Sequence, residues 1–234
     1  MANAKSVKIH VIYYSMYGHI AQMAKRVQKG VEASGAQCEV FQVPETLSQD
    51  VLDKMYAPKK DEKVPVITHD KLRDALINCD GIIFGYPTRF GGMPGQMKTF
   101  WDQTGGMWMK GELLNKPFSI FFSSSTQGGG QETTALSSLS NFIHHGMIYV
   151  PIGYSCKQLG EMNEVHGGSP YGAGTLAGQD GSRQPTALEL EVAEASGKHF
   201  SEVAIALKIG REALPKKEAA TPSVPQKAVQ RDRV

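Results

Sequence analysis

The segment VKIHVIYYSMYGHIAQMAKRV, residues 7–27, joins an apolar run to an amphipathic pattern through a short polar turn. The apolar run is rich in β-branched and aromatic residues, which is typical of a strand buried on both faces. Ile20, Ala24 and Val27 then follow at helical spacing. Because a second strand is predicted at 38–43, the unit is strand–helix–strand, which favours a right-handed crossover in a parallel sheet.

Three further strands are indicated at 81–87, 118–122 and 147–150, with helical patterns between them. Alternating strands and helices predict an α/β fold: a doubly wound, five-stranded parallel sheet with helices on both faces. We expect this three-layer αβα arrangement to form a single domain over residues 1–210.

Residues 153–183 are rich in glycine and polar side chains, and an irregular stretch this long indicates a functional or interface loop. Thr186 and Glu189 then have the spacing of a capping box, which opens the last predicted helix. Residues 211–234 contain three prolines and almost no large apolar side chains. This C-terminal tail is therefore predicted to be disordered.

The composition indicates an ordinary globular protein, with 41% hydrophobic and 21% charged residues among 234. No apolar run approaches the roughly 20 residues of a membrane helix, so no integral membrane segment is expected. The N-terminus has no secretory pattern, and we expect a cytoplasmic protein, with peripheral membrane association left open.

Charge and cysteine spacing exclude other classes. The formal net charge is +2, and the tail's six basic and three acidic residues leave −1 for residues 1–210. Neither value argues for a nucleic-acid partner. Cys38, Cys79 and Cys156 lie far apart without a CxxC pair, so neither a disulfide framework nor a metal site is predicted.

Unusual residues follow the first strand, at the sheet edge where ligands bind in doubly wound folds. In the turn 15–19, backbone N–H groups at a helix start can bind an anion, Ser15 adds a hydroxyl, and Gly18 permits close approach. The turn lacks both GxxxxGK[ST] and GxGxxG, so a single terminal phosphate fits better than a polyphosphate. A plain hydroxyl cap with a glycine hinge is the alternative.

The third and fourth strands are followed by loops that suit a flat ring. In 86–92, Phe90 can lie against the ring and Thr88 can bond its polar edge, whereas Arg89 can serve instead in a surface salt bridge. The glycines of 124–130 allow close backbone approach, or form a flexible linker. Together the three loops indicate a mononucleotide with a flat heterocycle, and flavin mononucleotide (FMN) is the obvious candidate.

Six short motifs occur in one order along the chain. They are YSMYGHI (14–20), PTRFG (87–91), DQTGG (102–106), GGGQE (128–132), HHGM (144–147) and PYGA (170–173). In this order they resemble the WrbA-type NAD(P)H:quinone oxidoreductases, which are flavodoxin-like FMN proteins. The resemblance runs from about residue 7 to residue 207.

The resemblance implies an enzyme, a flavin-dependent NAD(P)H dehydrogenase (quinone). It would reduce quinones to hydroquinones by two electrons, in a ping-pong cycle through one flavin pocket, with a role in oxidative stress. The partners implied are NAD(P)H, quinones and further copies of the chain in a homo-oligomer, a dimer or tetramer. Sites in this family are lined by neighbouring subunits, which would give the long loop 153–183 a use.

The resemblance also assigns site residues. The FMN phosphate would be held by Ser15, Met16, Tyr17, Gly18, His19 and Ile20. Further cofactor contacts would come from Pro87, Thr88, Arg89, Phe90, Gly91, Ser124, Ser125, Thr126, Gln127, Gly128, Gly129 and His144.

Catalytic roles follow from the same resemblance for Tyr17, Arg89 and His144. Tyr17 matches a nicotinamide-contacting position and Trp108 an aromatic wall of the substrate pocket, so with Phe90 they would form a slot. Arg89 would favour the reduced, anionic flavin, and His144 would hydrogen-bond the quinone oxygen or supply a proton. A structural histidine, satisfied in the interior or at an interface, is the alternative for His144.

Two other functions fit the same fold. A flavodoxin-like electron carrier would dock its partners through a strongly acidic surface, which a charge of −1 over residues 1–210 does not supply. A non-catalytic flavoprotein scaffold would have kept the fold and lost turnover.

Overall fold

A parallel sheet runs through the middle of the computed structural model, which describes residues 6–215. Its strands are β1 (Lys8–Tyr13), β2 (Gln37–Gln42), β3 (Gly81–Pro87), β4 (Pro117–Ser124), β5 (Ile148–Tyr149) and β6 (Ala173–Leu176). The strand order is β2-β1-β3-β4-β5, and every pairing is parallel. This is the flavodoxin-like order, so the predicted doubly wound sheet is confirmed.

The fifth position of the sheet is shared by two short strands. β5 pairs with Pro117 and Phe118 at the start of β4, whereas β6 pairs with 121–124 at its end. A Cβ at Gly172, just before β6, would lie 2.2 Å from the Ile120 carbonyl oxygen, so this close approach requires glycine. The prediction that 153–183 is irregular throughout is therefore wrong for β6.

Helices cover both faces of the sheet. They are α1 (His19–Ala33), α2 (Gln49–Lys54), α3 (Leu72–Ile77), α4 (Gly95–Asp102), α5 (Gly105–Met109), α6 (Gln131–His144) and α7 (Ala187–Ala213). Side chains of α1 and α7 form one hydrophobic core with β1, and those of α3, α4 and α6 form another with β3 and β4. The three-layer αβα arrangement is confirmed.

The helices α1 and α7 cross at very short range because each has a glycine at the contact. A Cβ at Gly30 would lie 1.8 Å from the Glu194 carbonyl oxygen, and one at Gly197 would lie 2.2 Å from that of Val27. Any larger residue at either position would push the helices apart, and with them the two turns that open α1 and α7.

The C-terminal helix α7 opens with the predicted capping box at Thr186 and Glu189, which is confirmed. It ends at Ala213, three residues beyond the predicted domain boundary at 210. The rest of the tail predicted to be disordered, residues 216–234, lies outside the described residues. None of the helices formed by residues 6–215 combines the length and the apolarity that crossing a bilayer would need.

Candidate functional site

A cavity of about 620 Å³ opens at the carboxyl edge of the sheet, within the size range of cofactor sites. The ends of β1, β3, β4 and β6 all contribute to it. Its lining residues are Ser15, Met16, Tyr17, His19, Ile20, Met55, Pro87, Thr88, Arg89, Phe90, Ser123, Ser124, Ser125, Gly129, Ala177, Gly178, Gln179, Asp180 and Gly181. The three loops singled out from the sequence therefore meet at one place.

The start of α1 forms the turn that the sequence predicts to bind an anion. Its N-cap, Gly18, has a φ of 92° in the left-handed region, and the Ser15 hydroxyl oxygen accepts hydrogen bonds from the N–H groups of Gly18 (3.2 Å) and Ala21 (3.3 Å). The N–H groups of His19 and Ile20 lie in the first turn, where no intrahelical acceptor exists. The Ser15 hydroxyl thus closes the turn, as the alternative cap interpretation has it, and also lines the cavity. Its role in binding stays a prediction.

The side chains at this turn are buried: Ser15 is 8%, His19 5% and Ile20 1% exposed. We call these three residues the buried side of the cavity. The His19 ring donates a hydrogen bond from Nε2 to the Arg183 carbonyl oxygen at 2.9 Å, since a carbonyl can only accept. One ring nitrogen of His19 is therefore committed to the chain that follows β6.

The loop after β3 is a two-residue hairpin. Phe90 and Gly91 both have positive φ (53° and 75°), and Arg89 and Gly92 exchange two backbone hydrogen bonds of 2.8 and 3.0 Å, as in a type I′ turn. Phe90 is fully exposed at the tip. A bulky non-glycine residue held in this conformation is a mark of functional sites.

Arg89 brings a positive charge to the cavity without a carboxylate partner. Its Nη1 donates to the Thr88 carbonyl oxygen at 2.9 Å and its Nη2 lies 4.0 Å from the Met16 sulfur. Among the ion pairs formed by residues 6–215, none includes Arg89, so the surface salt bridge left open from the sequence is not made. This charge is available to an anionic ligand.

Tyr17 and Phe90 form what we call the exposed side of the cavity. Tyr17 is 44% exposed, and its hydroxyl donates to the Met55 carbonyl oxygen at 3.4 Å. Within residues 6–215 neither ring makes a cation–π or ring–ring contact, so both present aromatic faces to an incoming ring system.

The loop after β4 lines the cavity through only part of its length. Ser124, Ser125 and Gly129 are among the lining residues, whereas Thr126, Gln127 and Gly128 form the turn behind them. The Ser124 hydroxyl donates to the Thr126 carbonyl oxygen and accepts from Gln131, both at 3.0 Å. Gly18 and Gly91 likewise shape their turns without lining the cavity.

His144 and Trp108 lie elsewhere in the chain, in a second concavity of about 360 Å³ between α4, α5 and α6. It shares no lining residue with the cavity. His145 also lines this second concavity. Its Nε2 shares a hydrogen bond of 2.8 Å with Thr104 Oγ1. Burial, and secondly the neighbouring His144, lower the pKa of His145.

Three parts of the cavity lining were not predicted from the sequence: Met55, Ser123 and residues 177–181. We call residues 177–181 the wall segment. The wall segment continues the pairing of β6 with β4: Ala177 and Gly178 donate to the carbonyl oxygens of Ser124 and Ser125, both at 2.8 Å. The glycine-rich composition of 153–183 was a signal for it, but for Met55 the sequence has none.

The sheet order and this cavity define a flavodoxin-like α/β protein with a mononucleotide-sized site. The family described as NADPH-dependent FMN reductase matches residues 7–158, and the chain belongs to it.

Two relatives support this assignment, and a solved structure shows the same fold. The chain is 53% identical over 197 residues to NAD(P)H quinone oxidoreductase PST3 of Candida albicans, covering 83% of this chain and 96% of that protein. It is 52% identical over 198 residues to quinone-oxidoreductase QR2 of Triphysaria versicolor, covering 84% and 94%. A WrbA-like flavodoxin from Agrobacterium tumefaciens has the same fold, with a TM-score of 0.57 at 24% identity over 85% and 98% of the chains. The predicted resemblance is confirmed.

Proposed function

We propose that the protein uses FMN to transfer two electrons from NAD(P)H to quinones, which leave as hydroquinones. The observation that carries this proposal is one cavity with an anion-binding helix start on its buried side and two solvent-exposed aromatic rings, Tyr17 and Phe90, on its exposed side. Membership of the FMN reductase family and the names of two relatives at over 50% identity support it.

The residues present fit FMN. The turn at Ser15 offers a hydroxyl and first-turn N–H groups to a terminal phosphate. Thr88, Arg89 and Phe90 line the cavity together with Ser124 and Ser125, and we assign the flat ring to these two loops. The unpaired charge of Arg89 matches a cofactor that gains negative charge on reduction.

When bound, FMN would supply the redox chemistry: acceptance of a hydride from NAD(P)H and transfer of that hydride equivalent to the quinone, with one further proton from solvent completing the hydroquinone. The chain's residues bind and orient. Tyr17 and Phe90 hold the nicotinamide or the quinone by stacking, and the Arg89 guanidinium stabilises negative charge at the ring. Since both substrates need the same exposed side, they enter in turn, which predicts ping-pong kinetics.

We further propose that copies of the chain assemble into a dimer or tetramer, in which the second concavity of one copy completes the cavity of another. Trp108 lines that concavity and is 41% exposed, and Leu136 and Ile143 on the bordering helix α6 are 50% and 54% exposed. A second copy would cover these apolar side chains. His144 and Trp108 would then reach the quinone across the interface.

Mixed oligomers test this arrangement. Ser15→Ala impairs FMN binding and His144→Ala impairs the proposed trans contribution. At limiting FMN, mixing the two impaired variants should raise activity above that of either alone, at sites that combine an intact cavity with an intact His144. A monomeric protein in sedimentation, or no recovery on mixing, contradicts it.

A cytoplasmic location is also proposed. Cys38, Cys79 and Cys156 are all free thiols, as expected where thiols are kept reduced.

Anaerobic stopped-flow mixing tests the activity. NADH or NADPH should bleach the flavin absorbance of the full chain, and a quinone added next should restore it. Flavin that is retained but never bleached would make the protein an electron carrier. A colourless protein that takes up no FMN would make it a scaffold.

A further inference from the structure

Glu189 does far more than close the capping box of α7. Its carboxylate is fully buried, and it accepts hydrogen bonds from four other residues besides its helix partner. The donors are Gly167 N (2.9 Å), Leu176 N (3.1 Å), Thr175 Oγ1 (2.7 Å), Thr186 N (2.9 Å) and Arg183 Nη1 (3.1 Å to each oxygen). A buried carboxylate so well satisfied fixes the chain around it, because releasing any donor leaves charge unpaired.

Arg183 connects Glu189 to residues that line the cavity. Both terminal nitrogens of its guanidinium donate, Nη1 to Glu189 and to the Leu176 carbonyl oxygen and Nη2 to that of Val165 (2.9 Å). Its backbone N–H donates to the carbonyl oxygen of Ala177, the first residue of the wall segment, at 2.9 Å. Its own carbonyl oxygen accepts from His19.

A second hydrogen bond also joins α1 to the chain that follows the wall segment. Gln22 Nε2, one turn further along α1, donates to Gln184 Oε1 at 2.7 Å. The wall segment is therefore held between Glu189 at the start of α7 and the first two turns of α1. Neither Glu189 nor Arg183 lines the cavity.

We propose that Glu189 and Arg183 are positioning residues for the cofactor phosphate. They hold the wall segment against the start of α1, so that the buried side keeps the shape that encloses a phosphate. The inference rests on FMN being the cofactor, but it concerns binding and needs no turnover.

The sign of the change in FMN affinity distinguishes a positioning role of Glu189 and Arg183 from a direct effect of the Arg183 charge. If the Arg183 charge itself attracted the phosphate, removing the Glu189 charge would strengthen FMN binding. If Glu189 and Arg183 instead position the wall segment, removing the Glu189 charge loosens that segment and weakens FMN binding.

The test compares FMN with riboflavin, which has the same ring and ribityl chain without the phosphate. Both affinities are measured on the flavin-free full chain by quenching of flavin fluorescence. Glu189→Gln should weaken FMN binding roughly tenfold, the effect of one poorly satisfied buried group, and riboflavin binding less than about threefold. Glu194→Gln is the control, because Glu194 lies on the same helix in a surface pair with Arg26 (3.0 Å); it should change neither.

Equal losses for FMN and riboflavin would overturn the proposal in favour of a general structural role, and stronger FMN binding would overturn it in favour of a direct charge role. If Glu189→Gln does not fold, the FMN and riboflavin affinities are measured on Arg183→Lys. Lysine keeps the charge but cannot reach both Glu189 and the Val165 carbonyl, so the same phosphate-selective loss is expected. A wild-type chain that binds FMN but reduces no quinone refutes the proposed activity alone.

Discussion

The buried and the exposed sides of the cavity are built in opposite ways. On the buried side the polar side chains have partners: Ser15 closes the first turn of α1, His19 is hydrogen-bonded to Arg183, and Arg183 in turn to a fully buried carboxylate. On the exposed side Tyr17 has one long hydrogen bond and Phe90 has none, with its backbone in a strained conformation.

This difference matches two tasks. A cofactor that stays bound needs a preorganised site, because ordering its walls would otherwise reduce affinity. Substrates that must enter and leave the same slot need a surface that binds them weakly and lets them go. The comparison therefore predicts that changes on the buried side affect cofactor retention, and that changes on the exposed side affect turnover.

Ser15→Ala should produce the largest effect. It removes the acceptor for the Gly18 and Ala21 N–H groups and the hydroxyl that we propose contacts the phosphate. A hydrogen bond to a charged group contributes about 1.5–3 kcal/mol, so FMN binding should weaken roughly 10- to 100-fold, as measured by fluorescence titration. Ser34→Ala, at the other end of α1, is the control and should leave FMN binding unchanged.

Tyr17→Ala should instead lower turnover. Aromatic stacking contributes about 0.5–1.5 kcal/mol, so kcat/KM for NAD(P)H should fall roughly three- to tenfold while FMN affinity stays within about twofold. Tyr17→Phe keeps the ring and should behave as wild type. Equal loss of FMN from Tyr17→Ala and Ser15→Ala would break the division between the two sides.

How far the sequence could predict this site depends on how local each signal is. The turn at Ser15 and the hairpin at Phe90 were predictable because serine, glycine and aromatic residues directly follow apolar strands. β6 was not, because four residues carry little periodicity and pair only through the far end of β4. The role of Glu189 was visible only in part: the capping box is a local pattern, whereas its bonds to Gly167, Thr175 and Leu176 come from the folded loop.

Phe90→Gly should have opposite effects on stability and on function. Glycine adopts the φ of 53° without strain, and the fully exposed ring loses no burial in the single chain, so the free energy of unfolding in urea should rise by up to about 1 kcal/mol. The KM for quinone should rise several-fold. Tyr56→Gly is a matched control, because Tyr56 has the same φ and 90% exposure but does not line the cavity; it should leave KM unchanged. A less stable Phe90→Gly would mean that another chain covers the ring.

The smallest effect concerns Glu45, the less buried counterpart of Glu189. It follows β2 and accepts hydrogen bonds from the Tyr14 hydroxyl and Gln96 Nε2, both at 2.9 Å, with Lys60 at 3.2 Å. Glu45 thereby joins the chain ahead of the Ser15 turn to the start of α4. Its side chain is 15% exposed, whereas that of Glu189 is 0% exposed.

Burial acts to raise the pKa of Glu45, but the hydrogen bonds from Gln96, the Leu47 and Thr46 N–H groups and Tyr14 together hold that pKa below its usual value of 4.5. A carboxyl with a depressed folded-state pKa stabilises the fold above its unfolded-state pKa, and that contribution is lost as pH falls through the folded-state value. Because water screens this group, the contribution should be below about 1 kcal/mol. In urea unfolding, Glu45→Gln should therefore be less stable than wild type at pH 7, with the gap closing below about pH 4.5. A gap that stays constant with pH would mean that Glu45 acts through packing and not through its charge.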